Sequence, residues 1–184
     1  MKDSEIINSV RKWVETIVVE LNLCPFAKRE LVKNRVRFFV SHAETEEQLL
    51  LDLATELEFM QNDSSIETTL LIHPDVLGDF YDYNQFLDYV DRLLTQMNYD
   101  GIYQIASFHP DYQFSSTLPE DAENYTNKTP YPLLHLLRES SVEKVIEQHS
   151  DVGRIPEKNV QILESIGKQE MQRMLLACSD LKNQ

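Results

Sequence analysis

The chain is poor in the residues that build the commonest nucleotide, disulfide and zinc sites. It has four glycines among 184 residues, and none follows a predicted strand in the pattern that cradles phosphate groups. Its two cysteines, Cys24 and Cys178, are far apart, so they form neither a disulfide framework nor a paired-cysteine zinc motif. The sequence therefore argues against these three kinds of site.

Basic residues and long apolar runs are also scarce. Seventeen lysines and arginines stand against 31 acidic residues, which gives a formal net charge of -14. Such a surface repels phosphate backbones and anionic headgroups. No apolar run is long enough to cross a bilayer, and the stretch MKDSEIINSV is too polar for the core of a signal peptide. We therefore expect a cytoplasmic protein with neither nucleic acid nor membrane as a partner.

What the chain does have is an alternation of helix and strand patterns over the length of one domain, residues 1–184. Apolar residues at three- and four-residue steps between Ile6 and Leu21 predict an N-terminal helix of about 18 residues. Two successive strand-helix-strand units predict an α/β fold with a small sheet of about three parallel neighbouring strands, whose order stays open. The predicted strands are Val36–Val40, Thr68–Ile72 and Ile102–Phe108.

The last third of the chain is predicted to be helical. Ser140 with Glu143 forms a capping-box pattern that opens a helix ending near His149, and Ser41 with Glu44 forms a similar pattern before the second helix. The other predicted helices here are Pro132–Arg138 and Pro156–Cys178. Residues 111–131 show no periodicity but contain four aromatic residues, which predicts an ordered loop over the sheet edge.

Three of the five histidines, His42, His73 and His109, stand at the ends of predicted strands. The carboxyl ends of parallel strands gather at one sheet edge, where ligands bind. Three neutral imidazoles could hold a zinc ion with an open position for an activated water, so metal-assisted hydrolysis is one hypothesis. The alternative is that histidine tolerates strand ends, since strands about 4.8 Å apart place the outer side chains about 10 Å from each other.

The stretch SFHPDYQF surrounds His109 with other groups that could move protons. Asp111 could orient the ring or begin a turn, and Tyr112 could assist a proton transfer. His135 and Arg138 are three residues apart in a predicted helix and would share a face. Arg138 could then hold an anionic group or form an internal ion pair.

Cys24 is the alternative nucleophile. It lies at the end of the predicted N-terminal helix, where carbonyl groups raise the pKa of a thiol, so packing is the simpler interpretation. A nearby histidine, or Lys28 and Arg29, would have to activate it. Cys178 lies on the apolar stripe of the last helix and is interpreted as packing.

Three segments, NLCPFA, SFHPDYQF and NYTNKTPYPLLHLLRE, together resemble the bacterial family catalogued as domain of unknown function fourteen-fifteen. The resemblance covers nearly the full length and implies no activity, cofactor or partner. It points to residues 22–27, 108–114, 124–127 and 130–138 as the recognisable signature. His109 and His135 lie inside that signature, whereas His42 and His73 lie outside it, which makes the three-histidine metal site less attractive.

The leading hypothesis is an enzyme that acts on a small anionic metabolite by histidine acid-base chemistry. His109 would be the general acid or base, assisted by Tyr112, and His135 would be a second titrating group. Asn124 and Asn127 would position the substrate, with Arg138 as the anion clamp. The alternatives are the metal-assisted hydrolase and a non-catalytic binding or assembly module in which Asn, His and Arg side chains fasten the loop. The cofactor, the reaction and the oligomeric state stay open.

Overall fold

The computed structural model describes residues 2–148 and 152–179. Helices and strands alternate up to residue 138, and helices follow from there. The helices are α1 (Asp3–Trp13), α2 (Ala27–Val32), α3 (Glu46–Asn62), α4 (Phe80–Gln96), α5 (Glu139–Gln148), α6 (Ile155–Ile166) and α7 (Lys168–Ser179). The strands are β1 (Val36–Val40), β2 (Thr68–Ile72), β3 (Tyr103–Phe108) and β4 (Leu133–Arg138). A π-helical segment covers Val14–Val19, and short 3-10 turns cover Ala122–Thr126 and Val152–Arg154.

The four strands form one mixed sheet in the order β1-β2-β4-β3. β1 and β2 are parallel, and β4 runs antiparallel to both of its neighbours, β2 and β3. The predicted α/β character, the N-terminal helix and the helical C-terminal part are confirmed. The prediction of about three parallel neighbouring strands is wrong, because β4 lies between β2 and β3. The three predicted strands nevertheless point the same way, since two antiparallel pairings in succession restore the direction.

β4 also corrects a local prediction, since the sequence predicts a helix over Pro132–Arg138. Its residues pair with β2 on one side and with β3 on the other. Leucine favours helices, and a central strand that is apolar on both faces lacks the alternation that reveals a strand. Burial between two neighbouring strands therefore outweighs the helix propensity of LLHLLR.

The sheet separates two apolar layers. One face, called here the α3/α4 face, packs on α3 and α4 through residues such as Leu49 and Phe86. The other, called the α1 face, packs on α1 and the π-helical segment, with residues of α6 and α7 in the same cluster. Side chains alternate along a strand, so Leu71 of β2 joins the α3/α4 layer while Leu70 and Ile72 join the α1 layer.

The predicted N-terminal helix is present, but it changes its winding halfway. After Trp13 the chain continues as the π-helical segment, in which the Glu20 N–H donates to the Glu15 carbonyl at 3.2 Å. π-helical turns are wider than α-helical ones and frequently occur at functional sites. No helix in the described ranges is both long and apolar enough for a bilayer crossing.

Two predicted helix starts differ from the structure. α3 begins after Thr45, whose hydroxyl accepts the N–H of Gln48, and not at the predicted capping box of Ser41. α5 begins at Glu139, next to the predicted Ser140. The predicted end of that helix at His149 lies outside the described residues.

Candidate functional site

A cavity of about 200 Å³ lies on the α1 face of the sheet. Its walls come from the end of α1, the π-helical segment, α2, all four strands and the start of α5. Each of the three signature segments contributes: Cys24 from the first, Phe108 from the second, and Asn127 and His135 from the third. Residues that are distant in sequence, and that carry the resemblance, therefore meet at one concave site.

The walls of the cavity are mainly apolar. Trp13 packs edge-on against Phe108 with the ring centroids 5.5 Å apart, and Val14, Val18 and Leu70 continue the lining. Val14 and Val18 belong to the π-helical segment.

His135 is a polar group beside this apolar space. It lies on β4, where the alternation of side chains directs it to the α1 face together with Thr68 of β2. Its Nε2 atom is 2.7 Å from the Thr68 hydroxyl oxygen. Burial lowers the pKa of His135 to about 4, so the imidazole is neutral at pH 7.

Cys24 borders the same cavity and lies between two helical segments. It follows the π-helical segment, as the sequence suggests, but it also lies three residues before the start of α2. Burial raises the pKa of the Cys24 thiol, and hydrogen bonds from the backbone N–H groups of Phe26 and Ala27 lower it by less. The thiol is therefore protonated at neutral pH, and a base would have to activate it.

His109, the predicted general acid or base, is buried against α4. Its exposed fraction is 0%. Its Nε2 donates to the Leu77 carbonyl at 3.2 Å, and its Nδ1 accepts the Asp111 N–H at 3.0 Å. Phe80 and Tyr83 pack on the ring with centroids 5.4 and 5.2 Å away. Both ring nitrogens are thus occupied, so the geometry favours a structural role, and catalysis by His109 stays a prediction.

Leu77, whose carbonyl binds His109, has an unusual backbone conformation. It is a non-glycine residue with φ of 57°, a left-handed conformation that is costly for a branched side chain. The ring of His109 binds its carbonyl oxygen and also binds the turn at Asp111. One imidazole therefore holds two loops at the end of β3.

His42 and His73 complete the predicted metal set, and they differ sharply from each other. His73 is fully buried, its Nδ1 donates to the Val76 carbonyl at 3.0 Å, and burial lowers its pKa to about 4. The His42 side chain is exposed and lies 3.0 Å from the carboxylate of Asp3. Across the described residues, no group of three His, Cys, Asp or Glu side chains is placed to hold a metal ion.

Asn124 and Asn127, the predicted substrate-binding residues, fasten the long loop. Asn124 is fully buried, and its side-chain oxygen accepts the Phe114 N–H at 3.0 Å and the Thr117 hydroxyl at 2.8 Å. Asn127 donates from Nδ2 to the Ser107 carbonyl at 3.0 Å and also borders the cavity. These bonds satisfy backbone groups of an irregular segment.

Tyr112, the predicted proton-transfer partner of His109, packs in an aromatic group at this loop. Its ring centroid is 5.2 Å from that of Phe80 and 5.1 Å from that of Phe114. It borders no part of the cavity at His135. His109, Tyr112 and Asn124 therefore form one region of the molecule, and Cys24, Asn127 and His135 form another.

Arg138, the predicted anion clamp, points to the C-terminal end of α3. Its guanidinium group donates to the carbonyl oxygens of Met60, Asp63 and Ile66, and to the hydroxyl of Tyr103. A cation at this end of a helix complements the helix dipole. Arg138 borders the cavity, but its donors are engaged with these oxygens.

The shared face predicted for His135 and Arg138 does not exist, and Arg138 lies far from His109. Residues three apart on a strand lie on opposite faces, so His135 and Arg138 do not share one, contrary to the helix-based prediction. Arg138 is paired with Tyr103 at the start of β3, whereas His109 follows the end of that strand. Six residues of strand separate Tyr103 from His109, which corresponds to about 20 Å.

Two residues at the cavity, Thr68 and Glu30, could not be recognised from the sequence as site residues. Thr68 is an ordinary β-branched residue at the start of β2, and its role depends on the neighbouring strand β4. Glu30 is a buried carboxylate of α2 that contacts Arg29 at 2.6 Å and Arg35 at 3.2 Å. Its position relative to the cavity follows only from the way α2 folds over the sheet.

Comparison with known proteins gives one match. A family model described as Protein of unknown function (DUF1415) matches residues 5–173, a range that contains all three signature segments. The resemblance recognised from those segments is therefore confirmed. No curated protein matches the chain, and no solved structure matches it.

Proposed function

The chain belongs to the DUF1415 family of proteins of unknown function, and we propose that it binds a small, largely apolar molecule in the cavity beside His135. The convergence of the three signature segments on that one cavity carries the proposal. Mostly apolar pockets with a few placed polar groups are the usual form of small-molecule sites. The polar residues of the signature at this site are Cys24, Thr126, Asn127, His135 and Arg138.

The size of the cavity limits the ligand. An apolar cavity of about 150 Å³ is known to accept benzene. The space here is about 200 Å³, so a single substituted ring, or an aliphatic molecule of similar volume, would fill it. A nucleotide would be too large.

An uncharged ligand fits the cavity better than the anionic metabolite expected from the sequence. The arginines at the cavity already have partners: Arg29 contacts Glu30 at 2.6 Å, and Arg138 donates to backbone carbonyl groups. His135 is neutral at pH 7 because burial lowers its pKa to about 4. An anion would gain no unengaged positive charge from these three side chains.

The cytoplasmic location and the absence of nucleic-acid and membrane partners stay predictions, supported by the net charge of -14.

Filling the cavity tests this proposal. Val18 borders the cavity, so Val18→Phe should occupy the space without loss of fold, with a change in unfolding free energy within about 1 kcal/mol. Small ring compounds that bind the wild-type protein in a ligand-observed NMR screen should then lose binding. The matched control is Val90→Phe on the packed α3/α4 face, which should cost about 1–3 kcal/mol and leave binding intact. Unchanged binding to Val18→Phe would contradict the proposal.

An enzyme built on the same cavity is a second candidate, favoured by the presence of a thiol and an imidazole in one small space. Cys24 is protonated at neutral pH because burial raises its pKa, and burial lowers the pKa of His135 to about 4. The ring could accept the thiol proton only where the thiolate and the imidazolium stabilise each other as an ion pair. This version retains the histidine acid-base chemistry expected from the sequence. It assigns that chemistry to His135 and places the nucleophile at Cys24.

Alkylation of Cys24 separates the enzyme from the binding protein. Iodoacetamide is small enough to enter the cavity, and Cys178, buried on α7, is the internal control. If His135 activates the thiol, His135→Ala should slow the labelling of Cys24 at least about tenfold, roughly the low end of a general-base contribution. Equal labelling rates in the two proteins would remove the second candidate and leave the binding proposal standing.

A further inference from the structure

The hydrogen bonds of Thr68 determine which nitrogen of His135 carries the proton. The Thr68 hydroxyl has one hydrogen, and its oxygen is 2.6 Å from the Leu136 carbonyl oxygen and 2.7 Å from His135 Nε2. A carbonyl oxygen can only accept, so the hydroxyl hydrogen goes to Leu136. The contact with His135 then requires Nε2 to be the donor. Nδ1 consequently has no hydrogen and presents a lone pair.

Nδ1 is the ring nitrogen that remains available. Within residues 2–148 and 152–179, Thr68 is the hydrogen-bond partner found for the ring. Some buried polar atoms of the described residues have no partner, and Nε2 of His73 is one of them. Nδ1 of His135 does not belong to that set, so it is not fully buried. His135 also borders the cavity. Nδ1 therefore keeps access to the space that a ligand would fill.

We infer that Thr68 is a positioning residue that holds His135 as the Nε2–H tautomer, and that the ligand is an uncharged hydrogen-bond donor, a hydroxyl or N–H compound that donates to Nδ1. This inference rests on the proposed function, because it names the class of molecule that enters the cavity. A carboxylate would place its negative charge against a lone pair. An ether would leave Nδ1 without a donor, which has a cost in a buried site.

The tautomer can be tested without any ligand. In ¹⁵N spectra of histidine-labelled protein at neutral pH, Nε2 of His135 should resonate as a protonated nitrogen and Nδ1 as an unprotonated one. Thr68→Val keeps the shape but removes the hydroxyl, so the two nitrogens should shift toward averaged values. Thr68→Ser should restore the wild-type pattern, which a purely structural role of Thr68 would not require. A protonated Nδ1 in the wild-type protein would overturn the inference.

The ligand class can be tested with three probes of nearly the same size: phenol, anisole and benzoate. The wild-type protein should bind phenol at least about tenfold more tightly than anisole or benzoate, which is about 1.4 kcal/mol and typical of one hydrogen bond in a buried site. His135→Phe should remove the advantage of phenol and keep the binding of anisole. Equal or tighter binding of anisole or benzoate to the wild-type protein would overturn the inference.

The two proposals fail in distinguishable ways. If anisole binds as well as phenol and Val18→Phe abolishes both, the cavity is a binding site and the donor class is wrong. If none of the three probes binds at millimolar concentration, the result contradicts both the ligand class and the proposed function. The ¹⁵N spectra then still decide the tautomer assigned to His135.

Discussion

His109 and His135 pack on opposite faces of the sheet and differ in how their ring nitrogens are used. Against α4, His109 uses both ring nitrogens for backbone groups and has no exposed surface. On the α1 face, His135 uses one nitrogen for Thr68 and borders a cavity. Burial lowers the pKa of both rings, so the pKa does not separate them. What separates them is whether a ring nitrogen remains for a ligand.

The difference arises from the helices that cover each face. α3 and α4 are regular helices of 17 residues each, and their buried stripes pack on the sheet. The opposite face is covered by α1, by residues of α6 and α7, and by two short elements, the π-helical segment and α2, which have six residues each. The cavity lies beside these two short elements, which contribute Val14, Val18 and Ala27 to its walls.

Acidification should produce the largest effect, because it acts on both faces at once. The pKa values of His73 and His135 are about 4 in the folded protein against 6.5 for a free histidine. The unfolded chain therefore binds more protons below pH 6.5, and the stability contributed by the neutral rings is present above that pH and lost as the pH falls. Each ring should account for about 3 kcal/mol by about pH 4, and His109 is shifted in the same direction.

Urea unfolding between about pH 7 and 5, where most carboxylates remain ionised, measures about 2 kcal/mol of this loss for each ring. His135→Phe serves as the control because it removes one of the two large contributions and keeps a ring beside the cavity. The variant should lose less stability on acidification than the wild-type protein does. Stability that stays constant across this interval would contradict the neutral state assigned to the buried rings.

Alanine substitution compares the two histidines directly. His109→Ala leaves the Leu77 carbonyl and the Asp111 amide without the ring and opens a cavity, so it should cost about 3–5 kcal/mol of unfolding free energy. His135→Ala should cost about 1–2 kcal/mol, because that ring already borders open space and gives up one hydrogen bond. Chemical denaturation of both variants gives the two values.

Conservative variants of His109 test which of its two hydrogen bonds contributes to stability. His109→Asn can keep an acceptor near the position of Nδ1, and His109→Gln can keep a donor near that of Nε2, so each should recover part of the loss. If His135→Ala proves as destabilising as His109→Ala, the distinction between the faces is not valid. If His109→Ala leaves stability nearly unchanged, a functional role for His109 regains support.

Substitution of Arg138 tests whether this side chain has a structural role. Arg138→Met removes the donors to the carbonyl groups at the end of α3 and should cost about 2–3 kcal/mol. Hydrogen exchange should accelerate most in the last turn of α3. Arg138→Lys is the control, since it keeps the charge but lacks the planar set of donors and should recover less than half of the loss. Unchanged stability with lost ligand binding would instead support the anion clamp.

Much of the architecture could be predicted because local patterns determine it. The predicted strands at Val36–Val40 and Thr68–Ile72 match β1 and β2, and the third matches β3 to within one residue at its start. Their alternating or β-branched residues fit a strand wherever the sheet lies. β4 was missed because LLHLLR has no alternation, and its strand conformation depends on the two neighbours that it pairs with.

The candidate site was only partly predictable for the same reason. Cys24, Asn127, His135 and Arg138 stand out by residue type or by the family resemblance, and all four border the cavity. Thr68 does not stand out, because its significance comes from the register that sets β2 beside β4. His109 was expected to be free for chemistry, since a sequence does not show the two loops whose backbone groups occupy its ring nitrogens.

The sequence by itself determined the class of the fold, the direction of the first three strands and the family, because these depend on local periodicity and on recognisable segments. The tertiary structure decided the position of β4, the opposite orientations of His135 and Arg138, and the location of the cavity. The reason is physical. The pairing of strands and the packing of helices join residues far apart in the chain, and no local preference of those residues encodes which partners they meet.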